Sequence, residues 1–525
     1  MSQTRSWAGR LRIFAPLWFI GVVCALMAVH LLMRTPAFPY NPDSASYFEQ
    51  ARSLVQSGTA LETPYGLDAT DKQASILFPI GYPVVLALLS LPGFDSAATA
   101  LALSRVSSLL LPLLLFVGFR GLLGAPRAAL LAGLATLSPG VLMFATLGTP
   151  DLPALLLAVA AVAIVLNARA RHWLMLGGLI AGSAYAIRNA HIALLLAIAL
   201  YYGYRLLTEA AQRRATLLDA LAFLLGAALI LVPVLLRNVL LFGVFNPYQM
   251  EPSTLSVLHN VRTFVQEVAY DVSGWRALGV FVAWSAAGAA VFLGFTASAG
   301  WLLGRSWQHL PPARSQTIVL CTLYAAIGAS VVIAARSRYE WGEMINTRHT
   351  LQYAPFLWAT LLAALPTQPR WRPVTAGLVL LAGLLHLAYV ATPHDLLARN
   401  QKSTAALAVY EAGKGHFCTP GNALLASNWG YVFPILCGAA VRNIEMNALP
   451  CPAGKVCPSI ASAALQLAQQ FPARSIQLGF FAGRGLAPRQ LPLAPVDQMQ
   501  LQHAGMQILQ NDAHAFVVIK TPVIQ

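Results

Sequence analysis

The sequence predicts an α-helical multi-pass membrane protein of about eleven transmembrane helices followed by a small C-terminal extracytoplasmic α/β domain. Three observations carry that expectation. Of 525 residues, 57% are hydrophobic and 10% charged, with mean hydropathy +0.63, whereas a soluble chain carries about a quarter charged residues. Apolar runs of roughly 20 residues, the length that crosses a bilayer, recur from near residue 13 to near 392. Beyond residue 393 the runs shorten and polar turns appear. Disordered, collagen-like and small disulfide-rich classes are excluded, because there is no glycine period and only six cysteines.

The expected spans lie near 13–33, 98–119, 128–146, 151–168, 173–187, 190–203, 216–236, 277–304, 315–335, 350–366 and 373–392. The first is too long for a signal-peptide core, and Gly21-Val22-Val23-Cys24 lacks a small residue ahead of the cysteine, so it is expected to remain as an anchor. With the N-terminus inside, the inner loops hold fourteen Lys/Arg in about 52 residues against ten in about 124 outside, as the positive-inside rule requires. The net charge of +15 is therefore topological rather than a nucleic-acid signature.

An odd number of spans leaves 394–525 outside as a soluble α/β domain. Ala423–Ser427 and Ala515–Lys520 read as strands and Ile460–Gln470 as a helix. Cys418, Cys437, Cys451 and Cys457 lie here, and four cysteines on an oxidising side allow three disulfide pairings. Unpaired thiols are the alternative, and zinc is disfavoured because no C-x₂-C pair exists.

Only 19 residues are acidic, so acids at the outer surface stand out. The first outer loop, 34–97, is too long for a simple connector. Within it, 44–57 has the pattern of an amphipathic interfacial helix, with Ser46 and Glu49 as a capping box and Asp43 at its head. Asp43 is either a helix-capping carboxylate or a general base where the membrane meets water. Phe78 to Leu89, broken by two prolines and a glycine, reads as a re-entrant or interfacial segment. The outer junctions Thr149-Pro-Asp-Leu-Pro153, Ile187-Arg-Asn-Ala-His191, Leu236-Arg-Asn-Val-Leu-Leu-Phe-Gly243 and Arg336 to His349 are polar beyond need. Asp151, Arg188, Arg237 and Arg348 are thus candidates for one site, since ionisable groups at membrane depth face a protein interior or aqueous cavity. Each alone could instead snorkel to the headgroups. Arginine grips phosphate through paired hydrogen bonds and a carboxylate can deprotonate a hydroxyl, which suits transfer from a phosphorylated donor. Asp219, near the inner end of span seven, has no place in this pattern.

The first-loop acid, Gly81-Tyr-Pro83, Ser104-Arg-Val-Ser-Ser108, Ser138-Pro-Gly140 and Arg237-Asn238 followed by Phe242-Gly243 together resemble the GT-C superfamily of membrane glycosyltransferases. The likeness is to its branch of protein mannosyltransferases and lipid A aminoarabinose transferases, over residues 10 to 395. It implies Asp43 as catalytic base and Asp151 as second acid. It also implies a donor-binding set of Arg188, Arg237, Arg348, Lys72, Tyr82 and His349, with Arg348 and Tyr353-Ala-Pro355 matching a late Arg-Tyr…Pro segment. The implied reaction takes a sugar from a polyprenyl-phosphate carrier and passes it, with inversion, to a hydroxyl of an envelope lipid, glycan or protein. The implied location is the plasma (inner) membrane, among its lipids, with the site facing the periplasm. No cofactor is implied, nucleic acid is not a partner, and a divalent metal is left open. Ser44 stands where some members carry a second acid, so no D-x-D metal motif is present, and Asp68 and Asp71 read as solvated loop acids. Phe78-Pro79-Ile80 lacks the lysine of the aminoarabinose branch, which leaves Lys72 or the arginines to neutralise phosphate. The rival class is a flippase or transporter of lipid-linked sugar, which would distribute ionisable residues through mid-membrane rather than along one surface.

Overall fold

The computed structural model describes residues 7–63, 72–274, 300, 304, 310–341, 344–365, 372–391, 394–419, 423–444, 460–470, 474–482 and 491–520. The chain folds as two compact units. The first comprises Met1–Thr35, Ile76–Tyr82 and Ala100–Asp395; the second comprises Pro36–Ser75, Pro83–Thr99 and Leu396–Gln525.

In chain order the helices are α1 (Trp7–Arg34), α2 (Pro42–Ser57), α3 (Gly81–Ser90), α4 (Ser96–Leu123), α5 (Ala125–Thr136), α6 (Pro139–Ala145), α7 (Asp151–Asn167), α8 (Arg171–Ile187), α9 (Ile192–Thr208), α10 (Arg213–Phe242) and α11 (Val257–Ser273). There follow α12 (Pro312–Arg338), α13 (Thr347–Thr350), α14 (Ala354–Ala364), α15 (Arg372–Ala391) and α16 (His394–Phe417). Every expected span falls on a helix except 277–304, of which only residues 300 and 304 are described. Among the described residues, five helices are long and apolar enough to cross a membrane, and a sixth span results if α5 and α6, bent by 60°, are taken as one. α7 and α14 are apolar but shorter, with 17 and 11 residues, and at about 1.5 Å per residue neither reaches 30 Å. Pro139 sets the bend, since it cannot continue the helix from α5.

Close helix packing in the first unit depends on absent side chains. A Cβ on Gly178 of α8 would lie 1.9 Å from the Phe223 carbonyl oxygen of α10, and one on Gly226 would lie 1.8 Å from the Met175 carbonyl oxygen. The two backbones meet directly there, as small residues permit within membranes. The unassigned Asp219 is paired on this helix couple, 3.4 Å from Arg171 Nε.

The 237–276 stretch was expected to be a loop, but it contains α11. Val257, Val261, Phe264, Val268 and Val272 form an apolar stripe, and Ser256 caps the start by accepting from His259 N at 3.2 Å.

The second unit contains a five-stranded sheet in the order β2-β1-β3-β5-β4. Its strands are β1 (Leu424–Ser427), β2 (Val441–Asn443), β3 (Ile476–Phe481), β4 (Met506–Asn511) and β5 (Ala515–Lys520). β1 runs parallel to β2 and β3, and β5 runs antiparallel to β3 and β4. The three expected elements of the tail are thus present, as β1, β5 and helix Ile460–Gln470. β3 is buried on both faces: Ile476, Leu478 and Phe480 face a core with Ile460, Ala464 and Leu501, while Gly479 and Phe481 meet Phe417 at the end of α16.

Replacing Gly226 by Val should therefore prevent α8 and α10 from closing. The expected result is loss of the monodisperse folded fraction on size exclusion in detergent; a normally folded Gly226→Val protein would contradict the backbone contact.

Candidate active site

Ends of several helices in the first unit converge on one carboxylate. Asp151 begins α7, where a negative charge is favoured by the helix dipole. The preceding turn is fixed by Ser104 of α4, whose hydroxyl donates to the Thr149 carbonyl at 3.1 Å. Ser104 thereby accounts for part of the Ser104–Ser108 motif, and Arg105 adds a bond to Thr35 Oγ1 at 3.2 Å. The Asp151 side chain is 1% exposed.

Arg188 ends α8 in an extended conformation and turns its guanidinium onto Asp151, with which it is hydrogen-bonded and ion-paired. Arg348 places Nε 3.5 Å from the same carboxylate oxygen. Arg188 also donates to the Arg348 carbonyl at 3.3 Å, so the two arginines hold each other as well as the acid. Their side chains are 14% and 17% exposed.

Arg348 is presented by the one-turn helix α13, which has its own supports. Asn346 caps it, accepting from Arg348 N at 2.9 Å. On α11, Glu267 accepts from Thr347 Oγ1 at 3.1 Å, and Asp271 accepts from Thr350 Oγ1. On α6, Gly140 lets the backbone close in, since a Cβ there would lie 2.7 Å from Leu351 Cβ and 3.0 Å from Thr347 Cγ2. The glycine of Ser138-Pro-Gly140 is thus a packing requirement beneath Arg348. His349 stacks on Trp341 with centroids 4.8 Å apart. Its pKa is pushed down to about 3 by burial and then by Arg188 and Arg348, so the ring is neutral at ordinary pH.

The other candidates are placed differently. Tyr82 is fully buried at the start of α3, and Gly81 before it approaches Ala186 so closely that a Cβ would lie 2.4 Å from that carbonyl oxygen, two residues from Arg188. Arg237 is not brought to Asp151: it donates to Asn238 at 3.3 Å and lies 5.9 Å from the Phe242 ring. Its motif instead closes α10, with Asn238 donating to the Phe245 carbonyl at 2.9 Å and Gly243 in the left-handed conformation. Tyr353 packs edge-on to Tyr324 and fills the space over Gly328.

Asp43 and Lys72 belong to the second unit. Asp43 lies half-buried in the first turn of α2, which begins before the expected residue 44. The cap is Asn41 with Ser44, at 3.0 Å from Asn41 Oδ1 to Ser44 N, rather than Ser46 with Glu49. Part of the expected polar face of this helix is buried too. Glu49 accepts from Thr63 N at 2.7 Å and Thr63 Oγ1 at 2.9 Å, and Gln50 donates to Glu62 at 3.0 Å. Glu49, Gln50 and Ser53 of the expected polar face are thus packed by protein, while Gln56 and Ser57 stay exposed. Burial raises Glu49, opposed by Thr63 and by Lys72, so Lys72 stands near an acid of its own unit. Burial likewise pushes Glu62 up to about 7, against hydrogen bonds from Ser75, Ser46 and Gln50 and with repulsion from Glu49.

Cys418 and Cys437 form a disulfide; Cys451 and Cys457, like Asp68 and Asp71, lie outside the described residues. Among the described residues no three His, Cys, Asp or Glu side chains group to hold a metal ion.

Residues 79–237 match the family described as dolichyl-phosphate-mannose-protein mannosyltransferase. The fold is similar to that of ArnT from Cupriavidus metallidurans bound to undecaprenyl phosphate, with TM-score 0.59 and 15% identity over 96% of this chain and 97% of that one. It is also similar to the oligosaccharyltransferase AglB of Archaeoglobus fulgidus in complex with an inhibitory peptide and a dolichol-phosphate, with TM-score 0.51 and 11% identity over 90% of this chain and 70% of that one. No curated protein matches in sequence. Over residues 79–237 the chain is thus similar to that mannosyltransferase family, and its fold is similar to those of ArnT and AglB.

Two tests follow. Asp151→Asn removes the acid shared by two guanidiniums and should cost about 3–5 kcal/mol, read as a lowered thermal midpoint; an unchanged midpoint would show that the pairs contribute nothing. Glu62 keeps its proton to about pH 7 when folded and releases it near 4.5 when unfolded. Its contribution to stability is therefore complete below pH 4.5 and is lost as pH rises toward 7. Glu62→Gln should abolish that part of the decline, so its thermal midpoint exceeds wild type above pH 7; parallel pH profiles would contradict the assignment.

Proposed function

We propose that this protein transfers a sugar from a polyprenyl-phosphate carrier to an acceptor hydroxyl on the outer face of the membrane, by inverting displacement. The observation that carries this reading is the convergence of Arg188 and Arg348 on Asp151. Two planar guanidiniums held in one partly buried place suit a phosphate group, because each can supply parallel N–H donors. Support also comes from the carriers in the two similar structures, undecaprenyl phosphate and dolichol-phosphate.

The chemistry follows from charge. A polyprenyl phosphosugar carries one negative charge on its phosphodiester. As the anomeric C–O bond breaks, its electron pair passes to the phosphate, which gains a second. Arg188 and Arg348 thus bind the leaving group more strongly in the transition state than in the ground state, which is the condition for catalysis. Asp151 keeps both guanidiniums aimed and offsets their repulsion. Asp43 is assigned the proton of the acceptor hydroxyl, whose oxygen attacks the anomeric carbon opposite the departing phosphate. Tyr82 and the neutral His349 shape the site without adding charge. Lys72 and Arg237 are left outside the phosphate site.

With a polyprenyl-phosphate sugar as donor, Asp43→Asn should lower kcat by about 10²- to 10⁴-fold while the protein stays folded. Arg188→Gln or Arg348→Gln should lower kcat/KM for donor by about 10²-fold. Near-normal turnover by folded Asp43→Asn would remove Asp43 from the reaction, and unchanged donor dependence in both arginine variants would move the phosphate elsewhere.

A further inference from the structure

Nine residues after Asp43, on the same helix, Arg52 gathers two distant parts of the second unit onto one guanidinium. It donates through Nη1 to the Pro434 carbonyl and through Nη2 to the Ile435 carbonyl at 3.3 Å. Both carbonyls lie in the short helix α17 (Val432–Cys437), which ends at Gly438 in the left-handed conformation. Exposed carbonyls at a helix C-terminus carry partial negative charge, and a cation there is favourably placed. The same Nη2 lies 3.6 Å from Asp95 Oδ1. The other oxygen of Asp95 caps α4, accepting from Ala97 N at 3.0 Å and Ala98 N at 2.9 Å.

The far side of this clamp is itself anchored. The residue that ends α17, Cys437, is joined to Cys418, which directly follows α16. Before α2, Phe38 N donates to Ser403 Oγ of α16 at 2.6 Å. An aromatic chain runs beside it: Tyr40 is edge-on to both Phe38 and Phe48, and Phe38 packs on Tyr431. Also on α2, Glu49 and Gln50 bond Thr63 and Glu62. The axial position and roll of α2 are therefore set by groups from the C-terminal segment and from Asp95, with Arg52 the charged link between them.

The geometry points to Arg52 as a positioning residue for Asp43: the C-terminal segment, through α17 and Arg52, fixes the helix whose first turn presents the proposed base. This rests on the role given to Asp43 above. A guanidinium suits the task because two carbonyls and a carboxylate need several donors in a fixed plane, which a lysine ammonium supplies less well.

The experiment compares Arg52→Gln, Arg52→Lys and Arg52→Gly with Asp43→Asn in the same transfer assay. A small misplacement of a reacting group costs about 10²-fold, so Arg52→Gln should lower kcat by about 10- to 100-fold with donor KM within about twofold of wild type. Arg52→Lys should fall between. Free guanidinium ion added to Arg52→Gly should restore part of kcat, an effect that a general loss of folding would not show. Folded Arg52→Gln with wild-type kcat overturns the inference. If Arg52→Gln does not fold, Arg52→Lys decides: lowered kcat at constant donor KM supports it, and unchanged kcat overturns it. An inactive Asp43→Asn beside a fully active Arg52→Gln rejects the Arg52 role alone, whereas an active Asp43→Asn rejects the reading beneath it.

Discussion

Two guanidiniums sharing one buried carboxylate form the constraint around which the converging helix ends of the first unit are arranged. Burying Arg188, Arg348 and Asp151 costs solvation that only close pairing repays, so the parts that deliver them must be placed with little slack. Ser104 holds the turn that starts α7. The extended end of α8 turns Arg188 inward. Asn346, Glu267 and Asp271 hold α13, and Gly140 allows α6 to lie against it. None of these supports needs to touch a substrate. Their common effect is that the arginines are pre-aimed, and pre-aimed donors stabilise developing charge without reorganisation.

Much of this was legible in the sequence, for a physical reason. In a chain with few charges, each ionisable residue at the end of an apolar run must have a partner, so Asp151, Arg188 and Arg348 were visible as one set. Arg237 shared the same local signature but spends it on Asn238, Phe242 and the turn at Gly243. Local sequence does not distinguish an arginine that closes its own helix from one that crosses to another. Glu267 and Asp271 were missed because α11 was read as loop, although its valines and Phe264 recur at helical spacing. Glu62 had no such signal: an isolated acid in a long loop looks solvated, and only tertiary contacts with Gln50 and Ser75 bury it.

The reading of α2 shows the same limit from the other side. Its pattern of apolar and polar residues was that of a helix with one wet face, and periodicity reports only where apolar residues fall. Part of the polar face is covered by protein, Glu49 and Gln50 by Thr63 and Glu62 and Arg52 by α17, while Gln56 stays exposed. The disulfide followed similar logic. Four cysteines on an expected oxidising side left three pairings open, whereas the choice of Cys418 with Cys437 depended on α16 and α17 ending side by side.

The central claim is that the carrier phosphate sits between Arg188 and Arg348. A high-resolution map of the protein in lipid nanodiscs with undecaprenyl phosphate tests it directly. The account predicts phosphate density within hydrogen-bond reach of both guanidiniums, with Asp151 still engaged behind them. Phosphate density on Arg237 or Lys72, with Arg188 and Arg348 unchanged and without it, would contradict it.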